Sequence, residues 1–577
     1  MSLLKKIAYI FDRNVKLQMF GLMIMSVIGA LLELIGVSIL LPIIDLAVSP
    51  DNIMDNIYCR LISRVFHVTG YRDILLILIC TMLAVYLFKN AFLAVMYNLI
   101  YRFSGEVHNK IAGRLIHTYL VQPYAFFLRK NTSELIRSVK TDTIGFYQAV
   151  YNFMMIISSG LISLCLTAYL AVTNLVITVV VVLVVAVCAL TLLRSFQKKS
   201  KILGKETQIA DAKIIQSLQQ SFDGIKEIKI YHKEDYFLED FRYIYQHSVD
   251  VARKANLLSG LPKYLLETLT VGAILGVLAF SLINGGDLGK LVAQLAVFAA
   301  AFFKLLPNVN AMYAYSNTMM YNKASVDLVF HDLKEAEELL QHVEVEQKQE
   351  VPVHFRDRIE LRGIFFRYEN TDTDVIQNGS VTIRKGESTA FIGHSGGGKT
   401  TTVDVMLGLL KPQRGEILLD GRPIEDNYFG WLGLFGYIPQ FIYLYDDSIR
   451  KNVAFGVPEK EIDDQKVWDA LTKAQMKEFV ESLPDGLDTE VGERGARLSG
   501  GQRQRIGIAR ALYNDPEILV FDEATSALDT ETEKEVMSAI DSLHGTKTMI
   551  MIAHRLSTIE NCDHVYKVEN QRIEQVR

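Results

Sequence analysis

The chain has 577 residues, half of them hydrophobic, and its mean hydropathy is +0.20. This length exceeds what one hydrophobic core organises, so two or more domains are expected, and the hydropathy is high for a soluble enzyme. The formal net charge of −5 carries no basic excess, which argues against a nucleic-acid partner. Nearly all long apolar runs lie before residue 330, and the remainder has an ordinary globular composition.

Six of the apolar runs are long enough to cross a bilayer, which takes roughly 20 apolar residues in a helix. In chain order the predicted spans cover residues 17–48, 74–101, 144–171, 174–193, 264–283 and 291–320. We therefore predict an all-α transmembrane domain of six long helices within residues 1–333. Six buried helices in a soluble protein would need a very large globule around them, which disfavours that alternative.

The distribution of basic residues predicts the orientation of this domain in the membrane. They are concentrated at the N-terminus and in the connections between spans two and three and between spans four and five. By contrast, the connection "VTN" is uncharged and "NGGDLGK" has one lysine. The positive-inside rule then places both termini in the cytoplasm. The two basic connections are long and helical in pattern, so helices two to five are expected to project well into the cytoplasm.

The connection between the first two spans predicts an amphipathic helix at about residues 51–69. Its apolar residues recur every three or four positions, and Arg60 and Arg64 point away from them: Ile53, Ile57, Leu61, Val65 and Val68. Two interpretations remain open. The helix lies on the outer membrane surface and meets a lipid chain, or it packs on its own protein.

Three lysines stand in or beside the apolar runs: Lys89, Lys263 and Lys304. A charge at the centre of a membrane helix costs at least roughly 2.5–3.5 kcal/mol, so such a residue normally faces a cavity or a partner. The three lysines either line a cavity for an anionic substrate, or form ion pairs or lie outside the membrane on helix extensions. Glu33 and Glu267 are the candidate counter-charges.

A polar linker at residues 334–354 precedes a second domain at residues 355–577, where "GHSGGGKTT" fits the pattern G-x-x-x-x-G-K-[ST]. The motif follows a strand-like run and precedes a helix-like run, as a phosphate-binding loop requires. Its backbone N–H groups wrap phosphates, Lys399 adds a cation, and the Thr400 hydroxyl is a Mg²⁺ ligand. The predicted ATP contacts are Gly393, His394, Ser395, Gly396, Gly397, Gly398, Lys399, Thr400 and Thr401.

The run "EILVFDEATSALD" reads as a buried strand that ends in two carboxylates. Asp522 is placed to hold Mg²⁺ through water. Glu523 is placed to polarise the water that attacks the γ-phosphate in line.

A second anion-binding turn opens "LSGGQRQRIGIARAL", because free N–H groups and the helix dipole point to one place there. Its predicted ATP-contacting residues are Ser499, Gly500, Gly501 and Gln502. Two phosphate-binding turns about a hundred residues apart imply a nucleotide shared between two copies, or a second nucleotide.

Together these motifs resemble those of ATP-binding cassette transporters of the exporter type. The resemblance implies that an α/β P-loop ATPase domain with a mainly parallel sheet and a helical subdomain follows the membrane domain. It also implies that Tyr368 stacks on adenine, that Gln440 senses the γ-phosphate and binds Mg²⁺, and that His554 contacts the γ-phosphate. The dimer interface would include Ser526, Ala527, Leu528 and Asp529.

The same resemblance implies two coupling regions, near residues 122–143 and 221–237, that transmit cassette closure to the spans. All catalytic positions are intact, so the simple expectation is a homodimer with ATP and Mg²⁺ as cofactors. A related half-transporter as partner is the alternative.

The membrane segments "ELIGVSILLPIIDLA", "LPKYLLE" and "FFKLLPNVN" further resemble bacterial flippases of lipid-linked oligosaccharides, of the PglK type. We therefore expect an ATP-driven flippase in the bacterial cytoplasmic membrane, with a lipid-linked oligosaccharide as the preferred cargo. Phospholipid or lipid A, a hydrophobic drug and a peptide are the alternative cargoes. A soluble cassette ATPase that acts on nucleic acid or ribosomes is disfavoured by the six apolar runs.

Overall fold

The structure is a computed structural model of the chain. It describes residues 2–39, 43, 57–68, 70–173, 175–283, 288–348, 353–369, 371–523, 530–553 and 559–577. The chain divides into two compact units. The first comprises Met1–Gln122 and Lys130–Leu339, and the second comprises Pro123–Arg129 and Leu340–Arg577.

The first unit is helical throughout its described residues. Its helices are α1 (Leu3–Ile10), α2 (Arg13–Ser38), α3 (Ile57–Phe66), α4 (Tyr71–Leu120), α6 (Thr132–Arg137), α7 (Thr143–Thr173), α8 (Leu175–Asp223), α9 (Ile225–Tyr231), α10 (Glu234–Ile283), α11 (Leu288–Tyr321) and α12 (Lys323–Lys348). The short helix α5 (Tyr124–Arg129) belongs to the second unit.

Three helical segments within the described residues are long and apolar enough to cross a membrane: 13–38, 72–120 and 132–172. The helices α4, α8 and α10 contain 50, 49 and 50 residues. Roughly 20 residues are enough to cross a bilayer, so each of these helices extends far beyond the hydrocarbon.

Helix α3 begins at Ile57, inside the predicted amphipathic segment 51–69, whose residues 51–56 lie outside the described part of the chain. Val65 and Phe66 at its end are exposed in this chain, at 61% and 57%.

Four helices share one apolar core in the first unit. Ala30 of α2, Leu166 of α7, Leu266 of α10 and Phe302 of α11 are all buried in it. The apolar sides of α2, α7, α10 and α11 therefore pack against one another rather than facing only lipid.

A buried polar junction ties several helices of this unit together. It is centred on Asp142, which ends a π-helical turn at Ser138–Asp142 and is 1% exposed. One carboxylate oxygen accepts from Arg137 Nε at 3.0 Å, and the other accepts from Gln208 Nε2 at 2.8 Å and Ser325 Oγ at 2.7 Å. Because a buried charge is stable only when its bonds are satisfied, the junction fixes α6, α8 and α12 to one another.

The crossing of α8 and α11 depends on one glycine. A Cβ on Gly204 would lie 1.9 Å from the carbonyl oxygen of Tyr321, a backbone atom that cannot move aside alone. We expect Gly204→Ala to lower the free energy of unfolding by about 1–3 kcal/mol, the usual cost of overpacking. Thermal unfolding of the purified protein measures this. Gly113→Ala on α4 is the matched control, since a Cβ there meets nothing within 4 Å; equal losses in both variants would contradict the prediction.

The second unit contains two sheets. A four-stranded antiparallel sheet has the order β2–β1–β4–β5, formed by β1 (Arg358–Phe366), β2 (Ile376–Arg384), β4 (Arg414–Leu419) and β5 (Arg422–Pro423). A six-stranded sheet has the order β10–β9–β3–β8–β7–β6, formed by β3 (Ser388–Ile392), β6 (Phe435–Ile438), β7 (Ile518–Asp522), β8 (Thr548–Ile552), β9 (His564–Glu569) and β10 (Arg572–Gln575).

The larger sheet is parallel except for its edge strand β10. All residues of β7 and β8 are buried, as expected for parallel strands covered on both faces. The antiparallel sheet shares a core with β3, β7 and β8, through residues such as Ile359, Ile383, Phe391 and Val520. Sequence reasoning did not anticipate this second sheet.

Helices cover the rest of the unit: α13 (Lys399–Met406), α14 (Tyr428–Leu432), α15 (Ile449–Val453), α16 (Asp464–Lys473), α17 (Lys477–Glu481), α18 (Gly500–Leu512) and α19 (Thr530–Asp541). Helices α15 to α18 pack over one face of the larger sheet, where Val467 and Ile506 join Leu519 and Phe521 in one core. The phosphate loop and the two carboxylates thus occur where strands of a buried sheet end.

Candidate functional site: the nucleotide-binding cassette and the membrane ion cluster

The glycine-rich loop connects β3 to α13 in the backbone geometry that only glycine adopts readily. Gly393, Gly396 and Gly398 have φ of 147°, 78° and 97°. A Cβ on Gly393 would lie 2.2 Å from the carbonyl oxygen of Val568. The loop therefore needs glycine both for its conformation and for its close approach to β9.

Lys399 lies buried at the start of α13. Its ammonium donates hydrogen bonds to the carbonyl oxygens of Gly393 and His394, both at 3.0 Å. Burial lowers the pKa of Lys399, and the nearby carboxylates of Glu523 and Asp522 oppose that shift. The lysine thus folds over the loop that is suited to phosphates.

The two carboxylates at the end of β7 have different partners. Tyr437 of β6 donates to Asp522 at 3.2 Å, and Gln440 Nε2 donates to Glu523 at 2.7 Å. Glu523 has φ of 48°, a conformation that side chains other than glycine rarely adopt and that is common at functional sites. Burial raises the pKa of Asp522, and the hydrogen bond from Tyr437 opposes that shift.

The predicted Mg²⁺ ligands fit a magnesium ion. Thr400 lies in the first turn of α13 and Asp522 ends β7, and Gln440 contacts the adjacent Glu523. Mg²⁺ prefers oxygen ligands, with one or two carboxylates completed by water and nucleotide phosphates. When bound, the ion neutralises phosphate charge as the γ-phosphate is transferred.

The other predicted ATP contacts fall into two groups. Tyr368 donates or accepts a hydrogen bond with Thr401 at 3.0 Å, and its ring packs edge-on against Phe366. Ser499 is the N-cap of α18 and forms a capping box with Gln502, with bonds of 2.8 and 3.2 Å. Ser499 and Gly500 are exposed, whereas Gly501 is buried. Contact of this turn with ATP and stacking of Tyr368 on adenine stay predictions. His554 and the predicted interface residues Ser526–Asp529 lie outside the described residues.

Two residues at this site were missed by sequence reasoning. Asp404, near the end of α13, has its pKa raised to about 6 by burial and by the charge of Asp522. Tyr437 bonds to the same carboxylate. The only signal for them in the sequence was position: Asp404 lies about one turn after the phosphate loop on α13, and Tyr437 lies within "GYIPQ". Neither position is informative until the order of β3, β8, β7 and β6 in the sheet is known.

Asp404 makes the stability of the cassette depend on pH. Its pKa is higher in the fold than its ordinary 3.8, so the folded state holds this proton more tightly and stability falls as pH rises from about 4 to about 6. We expect Asp404→Asn to raise the melting temperature of the nucleotide-free protein at pH 7.5, with a gain that vanishes near pH 4. Calorimetry across this range measures it. The exposed Asp426→Asn is the control, and a gain that is independent of pH would contradict the prediction.

The short helix α5 packs on the cassette within the second unit. Ala125 lies against its apolar core, and Arg129 forms an ion pair with Glu369. Burial and the carboxylate of Asp404 raise the pKa of Tyr124. A segment of the predicted first coupling region therefore lies close to the nucleotide-binding residues.

Charged residues also meet inside the first unit, on three of its helices. Glu33 of α2 contacts Lys89 of α4 at 2.7 Å and Lys304 of α11 at 3.2 Å. We call these three residues the ion cluster. The Lys89 ammonium also lies 4.2 Å from the ring centroid of Tyr86. Lys263 is exposed, with its ammonium 6.0 Å from the ring of its neighbour Tyr264.

The fold and the sites define a class of protein: a P-loop ATPase domain that follows a helical membrane domain in one chain. Two family models match it. Residues 19–306 match the ABC transporter transmembrane region, and residues 376–526 match the ABC transporter domain.

Curated relatives include an ATP-dependent lipid A-core flippase of Bordetella avium, 32% identical over 78% of this chain and 76% of that protein. Another, of Pseudoalteromonas translucida, is 31% identical over 81% and 80%. The chain therefore belongs to the ABC transporter family, as an exporter-type half-transporter with an ATPase domain. The predicted family and the ATPase activity are confirmed.

A solved structure described as a bacterial Atm1-family ABC exporter with ATP bound shares the fold, with a TM-score of 0.76. It is 23% identical and matches 98% of this chain and 96% of the other. The predicted fold class, helical membrane domain followed by an α/β ATPase domain, is confirmed. The protein is a multi-pass membrane exporter.

Proposed function

We propose that two copies of this chain form a flippase that uses ATP and Mg²⁺ to move a phosphorylated glycolipid from the inner to the outer leaflet of a bacterial cytoplasmic membrane. Both termini and the ATPase domain lie in the cytoplasm in this proposal. The observation that supports this cargo above others is the composition of the ion cluster, which has two ammonium groups for one carboxylate.

The ion cluster carries an excess positive charge in an apolar domain, where a charge is costly without a partner. Lys89 is fully buried, with its side chain 2% exposed, and is satisfied by Glu33. The side chain of Lys304 remains 39% exposed. Lys304 is therefore the group suited to meet an anion such as a phosphate, while Lys89 holds Glu33 in place.

The names of the curated relatives change which cargo we prefer. Those named above act on lipid A-core, which favours the lipid A alternative over the lipid-linked oligosaccharide that sequence reasoning preferred. Both cargoes combine lipid chains, a saccharide and phosphate groups in one molecule, so an exposed lysine at membrane depth suits either. Lysine binds phosphate as a point charge rather than as a bidentate fork.

The ATPase site supplies the energy. In the proposal, Glu523 polarises the attacking water and Gln440 holds that carboxylate. Lys399 and the loop amides bind the phosphates, and the turn at Ser499 contacts the ATP of the second copy. The exposed turn of α18 in each chain makes two such sites in a symmetric dimer.

Exposed apolar residues around α9, in the predicted second coupling region, support a partner copy. Phe222, Ile230 and Tyr231 are 62–69% exposed in one chain. A monomer rarely leaves a large apolar patch in water. We propose that a second copy covers this segment.

The test is ATPase activity of the full-length protein in lipid nanodiscs, with lipid A-core, a lipid-linked oligosaccharide or phosphatidylglycerol added. We expect lipid A-core to stimulate the wild type most, and Lys304→Ala to lose that stimulation while its basal rate and melting temperature persist. Glu523→Gln sets the background. Equal responses to all three lipids, or an unchanged response of Lys304→Ala, would refute the proposed cargo site.

A further inference from the structure

Four tyrosines form a contiguous group on three helices of the membrane domain. Tyr101 of α4 and Tyr151 of α7 are stacked, with ring centroids 5.0 Å apart and planes inclined by 17°. Their hydroxyls are hydrogen-bonded at 3.0 Å. Tyr147 continues the stack at 6.5 Å from Tyr151, and Tyr315 of α11 meets Tyr151 edge-on at 6.3 Å. We call these four residues the tyrosine ladder.

The tyrosine ladder and the ion cluster both include residues of α4 and α11, and on α11 their side chains lie on the same side. On α4, Tyr97 and Tyr101 are neighbours one turn apart, whereas Lys89 lies twelve residues before Tyr101 and, at 3.6 residues per turn, points about 120° away from it. On α11, Lys304 and Tyr315 are eleven residues, or about three turns, apart. At 1.5 Å per residue, the ladder lies about 16–18 Å from the ion cluster along both helices, toward the cytoplasmic ends.

A polar residue links the two groups. Tyr97 lies on α4 between the two groups, eight residues after Lys89 and four before Tyr101. Polar groups thus continue along α4 from the ion cluster to the ladder, and His108 extends them with its ring 5.7 Å from that of Tyr147.

The ladder differs from tyrosines that serve only as core. Tyr313 on α11 is 3% exposed, and its hydroxyl donates to the carbonyl of Leu258. By contrast, Tyr101 is 52% exposed, and Tyr147, Tyr151 and Tyr315 are only half-buried. Ring faces and hydroxyls of the ladder therefore remain accessible to a ligand.

We propose that the tyrosine ladder binds the saccharide of the transported glycolipid, with the lipid's phosphate at Lys304. This inference rests on the proposed function and deepens it. A sugar ring has an apolar C–H face and a rim of hydroxyls, and a tyrosine has an apolar ring with a hydroxyl at its tip. The spacing from ion cluster to ladder accommodates several sugar rings, while the lipid chains stay in hydrocarbon.

Tyrosines are also enriched where membrane helices cross the lipid–water boundary. In such a belt each ring contacts lipid headgroups by itself. Here, rings from three helices contact one another, two pairs of them stacked and one edge-on, and Tyr101 and Tyr151 pair their hydroxyls, which favours a built surface. The two interpretations predict different ligand selectivity, so one experiment separates them.

The experiment measures lipid binding to the full-length protein by native mass spectrometry. The probes are lipid A carrying its core saccharide, phosphatidic acid as a phosphate-bearing lipid without sugar, and the free core saccharide. The variants are Tyr101→Leu, Tyr151→Leu and the conservative Tyr101→Phe. Tyr243→Leu is the matched control, because Tyr243 is 81% exposed on α10 and outside the ladder.

We expect each leucine variant to weaken binding of the core-bearing lipid by about threefold to tenfold, the usual range for a lost aromatic contact. Phosphatidic acid binding and the basal ATPase rate should not change, and the control should bind like the wild type. Tyr101→Phe should retain most of the affinity, because stacking survives, and it separates the contribution of the ring from that of the hydroxyl. Tyr101→Leu and Tyr151→Leu lie on different helices, so each serves as the test if the other fails to fold. The free saccharide should bind far more weakly than the core-bearing lipid.

Equal losses for both lipids would overturn the inference in favour of an interfacial belt, and so would no loss for either. Free saccharide that binds as tightly as the glycolipid would also overturn it, because the ladder would then not serve the lipid cargo. If the wild type fails to prefer the core-bearing lipid over phosphatidic acid, the proposed function itself fails. That outcome is visible before any ladder variant is measured.

Discussion

Replacing Glu523 with glutamine is expected to lower the rate of ATP hydrolysis by at least about 100-fold, the usual contribution of a positioned general base. Glutamine keeps the size of the side chain but cannot accept a proton from the attacking water. The carboxylate follows buried strand β7, has a left-handed φ of 48° and accepts a hydrogen bond from Gln440. The backbone conformation and the hydrogen bond from Gln440 thus both fix the orientation of the Glu523 carboxylate.

ATP binding should survive in this variant, because the loop and Lys399 are unchanged. Steady-state phosphate release measures hydrolysis, and retention of labelled ATP measures binding. Glu416→Gln is the matched control, since that carboxylate is 54% exposed on β4 and pairs only loosely with Arg362 at 3.7 Å. Residual hydrolysis in Glu523→Gln above about a tenth of the wild-type rate would mean that another group activates the water.

The places of the phosphate loop and of the two carboxylates in the fold could be predicted, because each depends on a short stretch of sequence; their catalytic roles stay predictions. The loop from Gly393 to Thr400 and the pair Asp522–Glu523 each follow a strand, and each motif specifies its own backbone. Asp404 and Tyr437 could not be predicted in the same way. The hydrogen bond of Tyr437 to Asp522 depends on β7 lying beside β6, a parallel pairing of segments about 80 residues apart. The effect of Asp522 on Asp404 depends on β8 alone separating β3 from β7 in the sheet.

In the membrane domain, too, some features could be predicted from local sequence and others required the fold. Apolar length indicates where spans lie, but it does not give the direction in which a side chain points. The lysines at 89 and 304 left two interpretations open, and the choice required knowing that α2, α4 and α11 converge on Glu33. The tyrosine ladder went unnoticed for the same reason, since its members come from three helices and Tyr101 and Tyr315 are 214 positions apart.

The convergence on Glu33 has an energetic consequence. Lys89 is 1% exposed and has Glu33 at 2.7 Å. Breaking a buried pair by removing one partner typically costs about 3–5 kcal/mol, because it leaves a charge without compensation. We expect Glu33→Gln to destabilise the protein by about this amount, as measured by thermal unfolding of the purified protein in lipid nanodiscs.

The double variant Glu33→Gln/Lys89→Met should recover most of this loss, since it removes both charges and roughly keeps their volume. Glu106→Gln is the matched control: its pair with Arg102 is on α4 too, but both side chains are more than half exposed, and such pairs contribute about 0.3–0.5 kcal/mol. A loss in Glu33→Gln no greater than in this control would show that Lys89 finds another partner or water. In that case Lys89 would compete with Lys304 for the cargo's phosphate, and the division of roles between the two lysines would have to be abandoned.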